Sequence, residues 1–359
     1  MDMDIDGYGE TKKTSFGGIL DFTLLANPLG PSRKAKHAMR KALKAVHLFP
    51  DRETPHLRRA VAKRAHVLPG NILFGHGSIQ ILGLLLSRLR PRKVLVPTPL
   101  PAYLSGLLRR HGADLVPFPL CGDERFTLPM ARLLPHLDGV DMLLVPNPHP
   151  LTGTVIAPDP LYEIMDRLEG GRTMLVLDEG LIEYAGAASP VERAVASGNA
   201  LILRSFSLFH ALAGLRLGYA LGGQAMVDLI SSVIDPGPVG TVAAAGALAS
   251  LRDRGFQRRT AEFLKAEKAY LTGKLSRVET ISVIDTACNF LLAKMEGSAA
   301  ELQERLLQWH ILVEGFEDVK GATYLRLPLR THQENARLAK ALGRIAAEER
   351  TVPDRAPTR

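Results

Sequence analysis

Two short polar segments of the sequence carry the residue types that bind a phosphate group. "GHGS" at residues 75–78 precedes an apolar helical pattern, so its backbone N–H groups lie at the positive end of a helix. "SFSLFHALAGLR" at residues 205–216 follows a strand-like run and supplies two hydroxyls and a planar cation, the donor types that favour an anion. The predicted phosphate cup comprises Gly77, Ser78, Ile79, Ser205, Ser207 and Arg216.

Each of these features also has a purely structural interpretation. A Gly-Ser pair at a helix start is a common capping arrangement. Arg216, which precedes "LGY", could brace a loop, and Asp178, in the "DE" pair at the end of "VLDE", could cap or pack against a helix. The spacing alone does not decide between these interpretations and a binding site.

The elements that must position these residues alternate between strand and helix. Four continuous apolar runs of strand length end in polar or turn residues, which is typical of buried parallel strands. They are "RKVLVP" at 92–97, "DMLLVP" at 141–146, "RTMLVLDE" at 172–179 and "ALILRSFS" at 200–207. Helical patterns separate them, so the sequence predicts an α/β fold with a mainly parallel, doubly wound sheet. Ligands bind at the carboxyl ends of such strands, where the polar segments lie.

A second, smaller α+β unit is predicted from the remainder of the chain. We expect a large unit over residues 46–245, and a small unit made of residues 16–45 and 246–346. The first 15 residues and residues 347–359 are polar or charged with little to bury, so we expect flexible tails there.

Composition narrows the class of protein. The 359 residues are 46% hydrophobic and 23% charged, and no apolar run approaches the roughly 20 residues of a membrane helix. The net charge of +8 comes from basic residues spread along helix faces, so we expect no nucleic-acid partner. Two isolated cysteines and no secretory leader favour a cytoplasmic protein, and no spacing suggests a metal site.

Seven segments in register carry a resemblance over nearly the whole chain. They are "NPLGPS", "FPDRETPHLRRAVA", "NILFGHGSIQIL", "NPHPLTG", "VLDEGLIEY", "LRSFSLFHALAGLRLGYAL" and "YLRLPLRTHQEN". In this order they resemble the fold-type-I pyridoxal-phosphate enzymes of the class I/II aminotransferase group. Within that group the chain is most similar to the threonine-phosphate decarboxylases of cobalamin synthesis and to the histidinol-phosphate aminotransferases.

The resemblance implies roles for residues outside the cup. Asp178 matches the carboxylate that pairs with the pyridine nitrogen of the cofactor, and Tyr103 lies one residue from the aromatic that stacks on the ring. Asn147 matches a cofactor-binding asparagine, whereas Asn27 and Arg326 match substrate-binding positions, the arginine holding a carboxylate. A homodimer is implied as well, because sites in this family form between subunits.

Several positions depart from the family pattern. The first is Leu208, where the family has the lysine that holds the cofactor as an imine and then moves the substrate proton; leucine has no nitrogen and cannot titrate. Five other positions have lost a polar or aromatic group of the family or reversed its charge: Phe49, Pro150, Leu181, His210 and Glu314. The losses at positions 150, 208 and 314 lie in three separate segments and each removes a different polar function, so they indicate relaxed chemistry rather than one accidental substitution. His210 is a conceivable substitute base, although a histidine at an aromatic position usually packs.

Three hypotheses for function follow from the departures. In the first, the protein is a catalytically lost or repurposed relative that keeps a phosphate-binding cleft and acts as a ligand-binding or partner subunit, beside an active paralogue. In the second, it is an enzyme of altered chemistry that uses untethered pyridoxal or pyridoxamine phosphate, or a phosphorylated amino acid without any cofactor. In the third, it is a conventional decarboxylase or aminotransferase.

Overall fold

The computed structural model describes residues 18–351, so the predicted tail at residues 1–15 lies outside the described residues. The strands are β1 (Leu20–Phe22), β2 (Ile72–Gly75), β3 (Lys93–Thr98), β4 (Asp114–Pro119), β5 (Met142–Pro146), β6 (Met174–Asp178), β7 (Ala200–Ser205), β8 (Gly218–Gly222), β9 (Ile281–Ile284), β10 (Phe290–Met295), β11 (Ile311–Glu317) and β12 (Thr323–Pro328). The helices are α1 (Arg33–Ala42), α2 (Pro55–Ala65), α3 (Ser78–Leu89), α4 (Ala102–Arg110), α5 (Met130–Leu133), α6 (Pro158–Leu168), α7 (Ile182–Ala185), α8 (Val191–Ala196), α9 (Gln224–Ser231), α10 (Thr241–Arg252), α11 (Arg254–Leu275), α12 (Ala299–Gln308) and α13 (His332–Thr351).

The large sheet has seven strands in the order β2-β8-β7-β6-β5-β3-β4. All neighbours from β7 to β4 pair in parallel, whereas β8 runs antiparallel to both β7 and β2. Helices connect the parallel strands, which confirms the predicted α/β fold with a mainly parallel sheet. The carboxyl ends of β5, β6 and β7 consequently meet at one edge, where the polar segments begin.

The four predicted strands form because their residues are buried on both faces of the sheet. Every residue of β5, β6 and β7 is buried, as a continuous apolar run requires when helices cover both faces. The helical pattern around "LPMARLLPHLDG" forms only a short α5, followed by a 3-10 turn over Leu134–Leu137. Pro135 lies in that turn and has no backbone N–H with which to continue an α-helix.

A second sheet of five strands has the order β1-β11-β12-β10-β9. The N-terminal strand β1 pairs in parallel with β11, so the chain's beginning joins the small unit. Apolar side chains from this sheet, α11, α12 and α13 form a separate core that includes Phe22, Leu271 and Leu327.

The predicted boundary at residue 245 falls inside α10. Ala243, Ala247 and Leu251 of this helix pack into the core of the large sheet, and α1 packs against α10, where Gly246 approaches Met39 closely. The helical region breaks at Asp253, whose side chain caps α11 by accepting a hydrogen bond from the N–H of Phe256 at 3.1 Å. We therefore place the division of the units at Asp253, and α1 with the large unit.

The C-terminal tail is shorter than predicted. Helix α13 continues to Thr351, five residues beyond the expected boundary at 346. "AAEER" at 346–350 consists of strong helix formers, so the helix propagates past the last buried residues. Residues 352–359 lie outside the described residues.

Candidate functional site

A cavity of about 670 Å³ lies between the carboxyl ends of the large sheet and the strands β11 and β12 of the small sheet. Its wall includes the ends of β5, β6 and β7, as expected for a doubly wound sheet. Thirteen of the residues singled out from the sequence line this one cavity: Gly77, Ser78, Ile79, Tyr103, Pro150, Asp178, Leu181, Ser205, Ser207, Leu208, Arg216, Glu314 and Arg326. Residues from both ends of the chain thus meet in a single cleft.

The phosphate cup depends on two glycines that let the backbone approach closely. Gly77 precedes α3 with a φ of +78°, and a Cβ there would lie 3.1 Å from Nη2 of Arg216. Gly218, in β8, passes under the start of the helix, where a Cβ would lie 2.3 Å from the backbone N of Ser78. Only glycine fits both positions, so the first N–H groups of α3 point into an open cradle beside a guanidinium.

The opposite wall of the cup comes from the segment after β7. Ser205 is buried and its Oγ accepts a hydrogen bond from the N–H of Ser207 at 3.1 Å, which fixes the turn. Arg216 has a φ of +50° and, among the described residues, no ion-pair partner. A partnerless cation, two hydroxyls and a helix N-terminus suit a dianionic phosphate.

Asp178 lies at the end of β6, deep in the cavity. Its Oδ1 accepts a hydrogen bond from the N–H of Gly180 at 3.0 Å, and its side chain is buried. Burial raises the pKa of Asp178 to about 6, since the hydrogen bond from Gly180 only partly offsets the loss of hydration. A cationic ring nitrogen placed against this carboxylate would favour its charged form, so the residue suits a pyridinium partner.

A buried ion pair that the sequence gave no reason to single out supports these strand ends. Nε of Arg204, in β7, donates to Oε2 of Glu179 at 2.9 Å, and the hydroxyl of Ser189 donates to Oε1 at 2.6 Å. Glu179 and Arg204 are the immediate neighbours of Asp178 and Ser205. The pair therefore ties together the ends of the two strands that carry the cavity-lining side chains Asp178 and Ser205.

Leu208 is half-buried in a small apolar cluster at the cavity wall. It packs with Leu25, Leu181, Cys288 and Phe290. Two of the departures from the family pattern, Leu181 and Leu208, are thus in contact within one cluster. No lysine is among the residues that line the cavity in the described chain.

The two asparagines predicted to bind ligands are instead engaged with the backbone, and neither lines the cavity. Asn147 is buried, accepting from the N–H of Ile156 at 2.9 Å and donating to its carbonyl at 3.1 Å, which closes the loop after β5. Asn27 donates from its backbone to the carbonyl of Leu208 at 3.0 Å and from its side chain to that of Phe209 at 2.9 Å. These residues position loops; local spacing could not reveal the direction of their side chains.

His210 is also separated from the cavity. Its ring is fully buried between Phe206 and Phe209, with centroids 5.3 Å away in each case, and Nε2 lies 3.7 Å from Oε1 of Glu183. The ring packs where the family has an aromatic residue. Its position does not support a role as a substitute base.

Arg326 lines the cavity, and both of its terminal nitrogens are already engaged. Nη1 donates to the carbonyl of Pro150 at 2.9 Å, and Nη2 donates to the carbonyl of Thr23 at 2.7 Å and contacts Oε2 of Glu314. Glu314 lies directly opposite Arg326 in the antiparallel pair of β11 and β12. The sequence analysis singled out both residues but did not predict that they pair, because the register between two strands cannot be inferred from either segment alone.

Two aromatic positions of the prediction differ in their surroundings. Tyr103, at the start of α4, lines the cavity with about half of its side chain exposed. Phe49 is fully exposed at the end of a segment whose Leu43, Val46 and Leu48 are exposed as well. This segment, residues 43–49, borders a second hollow lined by Val46, Leu48 and Arg216.

Neither metal ligands nor membrane helices emerge from the described residues. Over residues 18–351, no group of three or more His, Cys, Asp or Glu side chains is arranged to hold a metal ion. In the same part of the chain, no helix combines the length and apolarity needed to cross a bilayer.

Comparison with known proteins gives a consistent family. The sequence model of "Aminotransferase class I and II" matches residues 19–342. The histidinol-phosphate aminotransferase of Symbiobacterium thermophilum is 31% identical over 321 residues, 88% of this chain and 87% of its own. The threonine-phosphate decarboxylase of Salmonella typhimurium is 29% identical over 332 residues, 91% of each chain. The crystal structure of histidinol-phosphate aminotransferase from Sinorhizobium meliloti in complex with pyridoxal-5'-phosphate shares the fold, with a TM-score of 0.82, 21% identity and 90% of each chain covered. The sequence match and the fold of this chain agree, and the chain belongs to the class I and II aminotransferase family, whose cofactor is pyridoxal phosphate.

Proposed function

We propose that this protein binds a pyridoxal-phosphate-type molecule in the cavity without a covalent bond and does not carry out the ordinary chemistry of its family. In this proposal it is a catalytically lost or repurposed relative that keeps a phosphate-binding cleft. The observation that carries the proposal is the leucine cluster of Leu25, Leu181 and Leu208, in a cavity lined by no lysine of the described chain.

The residues present fit the phosphate and ring of such a molecule. The N-terminus of α3, Ser205, Ser207 and Arg216 would hold the phosphate, and Asp178 would pair with the ring nitrogen. When bound, the cofactor supplies an electron-withdrawing ring that stabilises negative charge on a substrate carbon. This chain supplies binding and orientation: the cup fixes one end of the molecule and Asp178 fixes the other.

The apolar cluster removes two functions at one place. A leucine at position 208 offers neither a nucleophile for attachment nor a group that accepts a proton. Removal of the acting nucleophile and base together costs about 10⁶ in rate in a well-studied hydrolase. We therefore expect no useful turnover of threonine phosphate or histidinol phosphate. Co-purification tests an association with an active paralogue.

Borohydride reduction tests the proposal. The wild-type protein is incubated with pyridoxal phosphate, reduced, and examined by intact mass and peptide mapping, beside the variant Leu208→Lys. We expect no specific pyridoxyl adduct on the wild type and an adduct at position 208 of the variant. In parallel, calorimetry should detect binding of pyridoxamine phosphate, which needs no lysine.

Each of these two experiments has a result that would contradict the proposal. An adduct on one defined lysine of the wild type, at one per chain, would restore a conventional enzyme. Absence of pyridoxamine phosphate binding would show that the cleft no longer takes this class of molecule.

A further inference from the structure

The substrate end of the cavity is built around a charge pair rather than a free arginine. Glu314 and Arg326 face each other across β11 and β12, and their side chains are in contact. The arginine side chain is only 6% exposed, whereas that of Glu314 is 35% exposed and lines the cavity. A ligand entering this end therefore meets the carboxylate before the guanidinium.

Both terminal nitrogens of the guanidinium already have partners. Nη1 donates to one backbone carbonyl, Nη2 donates to another and contacts Glu314, and Nε is buried without a hydrogen-bond partner among the described residues. Two-pronged recognition of a carboxylate or phosphate needs a free, planar edge of the guanidinium. Here Glu314 and two backbone carbonyls already occupy the terminal nitrogens of that edge.

The local charge is also unfavourable for an anion. Glu314 neutralises Arg326, and the carboxylate of Asp21 on β1 acts on the same guanidinium. Tyr103, the other titratable group at this end, is a neutral phenol. Because Glu314 is the more exposed member of the pair, an incoming anion would approach a carboxylate, and like charges brought together across a binding surface are disfavoured.

We propose that this end of the cavity receives a primary amine and rejects a carboxylate or phosphate. The ligand class is therefore an amine that carries no acid group next to the nitrogen by which it joins the pyridoxal-phosphate-type group. Glu314 is the specificity-determining residue. The inference rests on the proposed function, since it takes the phosphate cup and Asp178 to hold a pyridoxal-phosphate-type group.

Reduced phosphopyridoxyl conjugates test this preference. Each conjugate reaches from the phosphate cup to the Glu314 end of the cavity, and its binding requires no lysine. Three conjugates differ only in one substituent at the same carbon: those of L-alanine (carboxylate), 2-aminopropane (methyl) and 1,2-diaminopropane joined at its secondary carbon (aminomethyl). Calorimetry on the wild type should give at least about tenfold tighter binding of the diamine conjugate than of the alanine conjugate, with the methyl conjugate between them. Tenfold corresponds to 1.4 kcal/mol.

Variants assign the preference to one side chain. Glu314→Gln keeps the contact with Arg326 and should bring the ratio of the diamine-conjugate affinity to the alanine-conjugate affinity close to one. Glu314→Arg should invert that ratio. Glu317→Gln, on the same strand and exposed, is the matched control and should leave the ratio unchanged. Should a position-314 variant not fold, the wild-type ratio decides alone.

Four results would overturn the inference. The first is equal or tighter binding of the alanine conjugate by the wild type, and the second is an unchanged ratio in a folded Glu314→Gln. If pyridoxamine phosphate binds but all three conjugates fail, the inference falls and the proposed function stands. Failure of pyridoxamine phosphate and of every conjugate would remove both.

Discussion

At the scale of single residues, the site joins retained and altered chemistry. Asp178 lies at a buried strand end, and Arg216 lies beside a helix N-terminus with no ion-pair partner among residues 18–351, which are the surroundings that the proposed ligand requires. Leu208 and Glu314 have surroundings that suit their own side chains: the leucine packs with other leucines, and the glutamate pairs with Arg326. These two departures are thus each accommodated by neighbouring side chains.

Asp178 provides a prediction in which stability and binding move in opposite directions. Burial raises its pKa to about 6 from a model-peptide value near 4, so between those values the folded state binds more protons than the unfolded state. The stability of the ligand-free protein should therefore fall as pH rises from 4 to 7. Asp178→Asn should raise the unfolding free energy at pH 7 by about 2–3 kcal/mol and weaken pyridoxamine phosphate binding.

Denaturant titration at pH 5 and pH 7 measures the first effect and calorimetry the second. Inorganic phosphate is the control ligand, because it does not reach the ring site, and its affinity should not change in Asp178→Asn. If Asp178→Asn is less stable than the wild type at pH 7, the carboxylate of Asp178 is not destabilised by its burial and this prediction is wrong.

At the scale of elements, the cup results from β8 passing directly beneath the start of α3. Because Gly218 has no Cβ, the strand and the helix N-terminus approach more closely than any other residue would permit. β8 also carries the only antiparallel pairings of the described large sheet, which turn the chain back from Arg216 towards β2. The anion site is thus a property of packing between two elements rather than of one motif.

Gly218→Ala should separate those two elements. A methyl group placed 2.3 Å from the backbone N of Ser78 must displace it, and overpacking of this kind costs about 1–3 kcal/mol. We expect that loss in unfolding free energy and at least tenfold weaker binding of pyridoxamine phosphate. Gly273→Ala in α11, where a Cβ meets open space, is the control and should be neutral or slightly stabilising.

At the scale of the whole molecule, the segment at residues 43–49 exposes a row of apolar side chains. Leu43, Val46, Leu48 and Phe49 are all more than half exposed, next to the hollow that also contains Arg216. A continuous exposed apolar surface marks an interaction site. The homodimer expected from the family would cover it.

Sedimentation at several concentrations tests that dimer. Val46→Glu combined with Phe49→Glu should convert the dimer to monomer, because two charges would be buried in an apolar interface. Leu68→Glu, at an equally exposed leucine outside the segment, should leave the dimer intact. A wild-type protein that sediments as a monomer would contradict the assignment.

Much of this protein can be predicted from the sequence alone, because the signals are local. Continuous apolar runs predict buried parallel strands, and "GHGS" and "SFSLFHALAGLR" predict the cup within a few residues of chain. The order of the seven segments was enough to identify the family. Each of these inferences needs only spacing along one stretch of chain.

The tertiary structure decided which side chains meet. It paired Glu314 with Arg326, gathered Leu208 with Leu25 and Leu181, and turned Asn27, Asn147 and His210 away from the cavity. These outcomes depend on strand register and on packing between segments far apart in the chain, where a shift of one residue reverses the face of every side chain. That register cannot be inferred from the spacing of residues within one segment. The sequence therefore identified the family, whereas only the fold showed how the altered residues of the site contact one another.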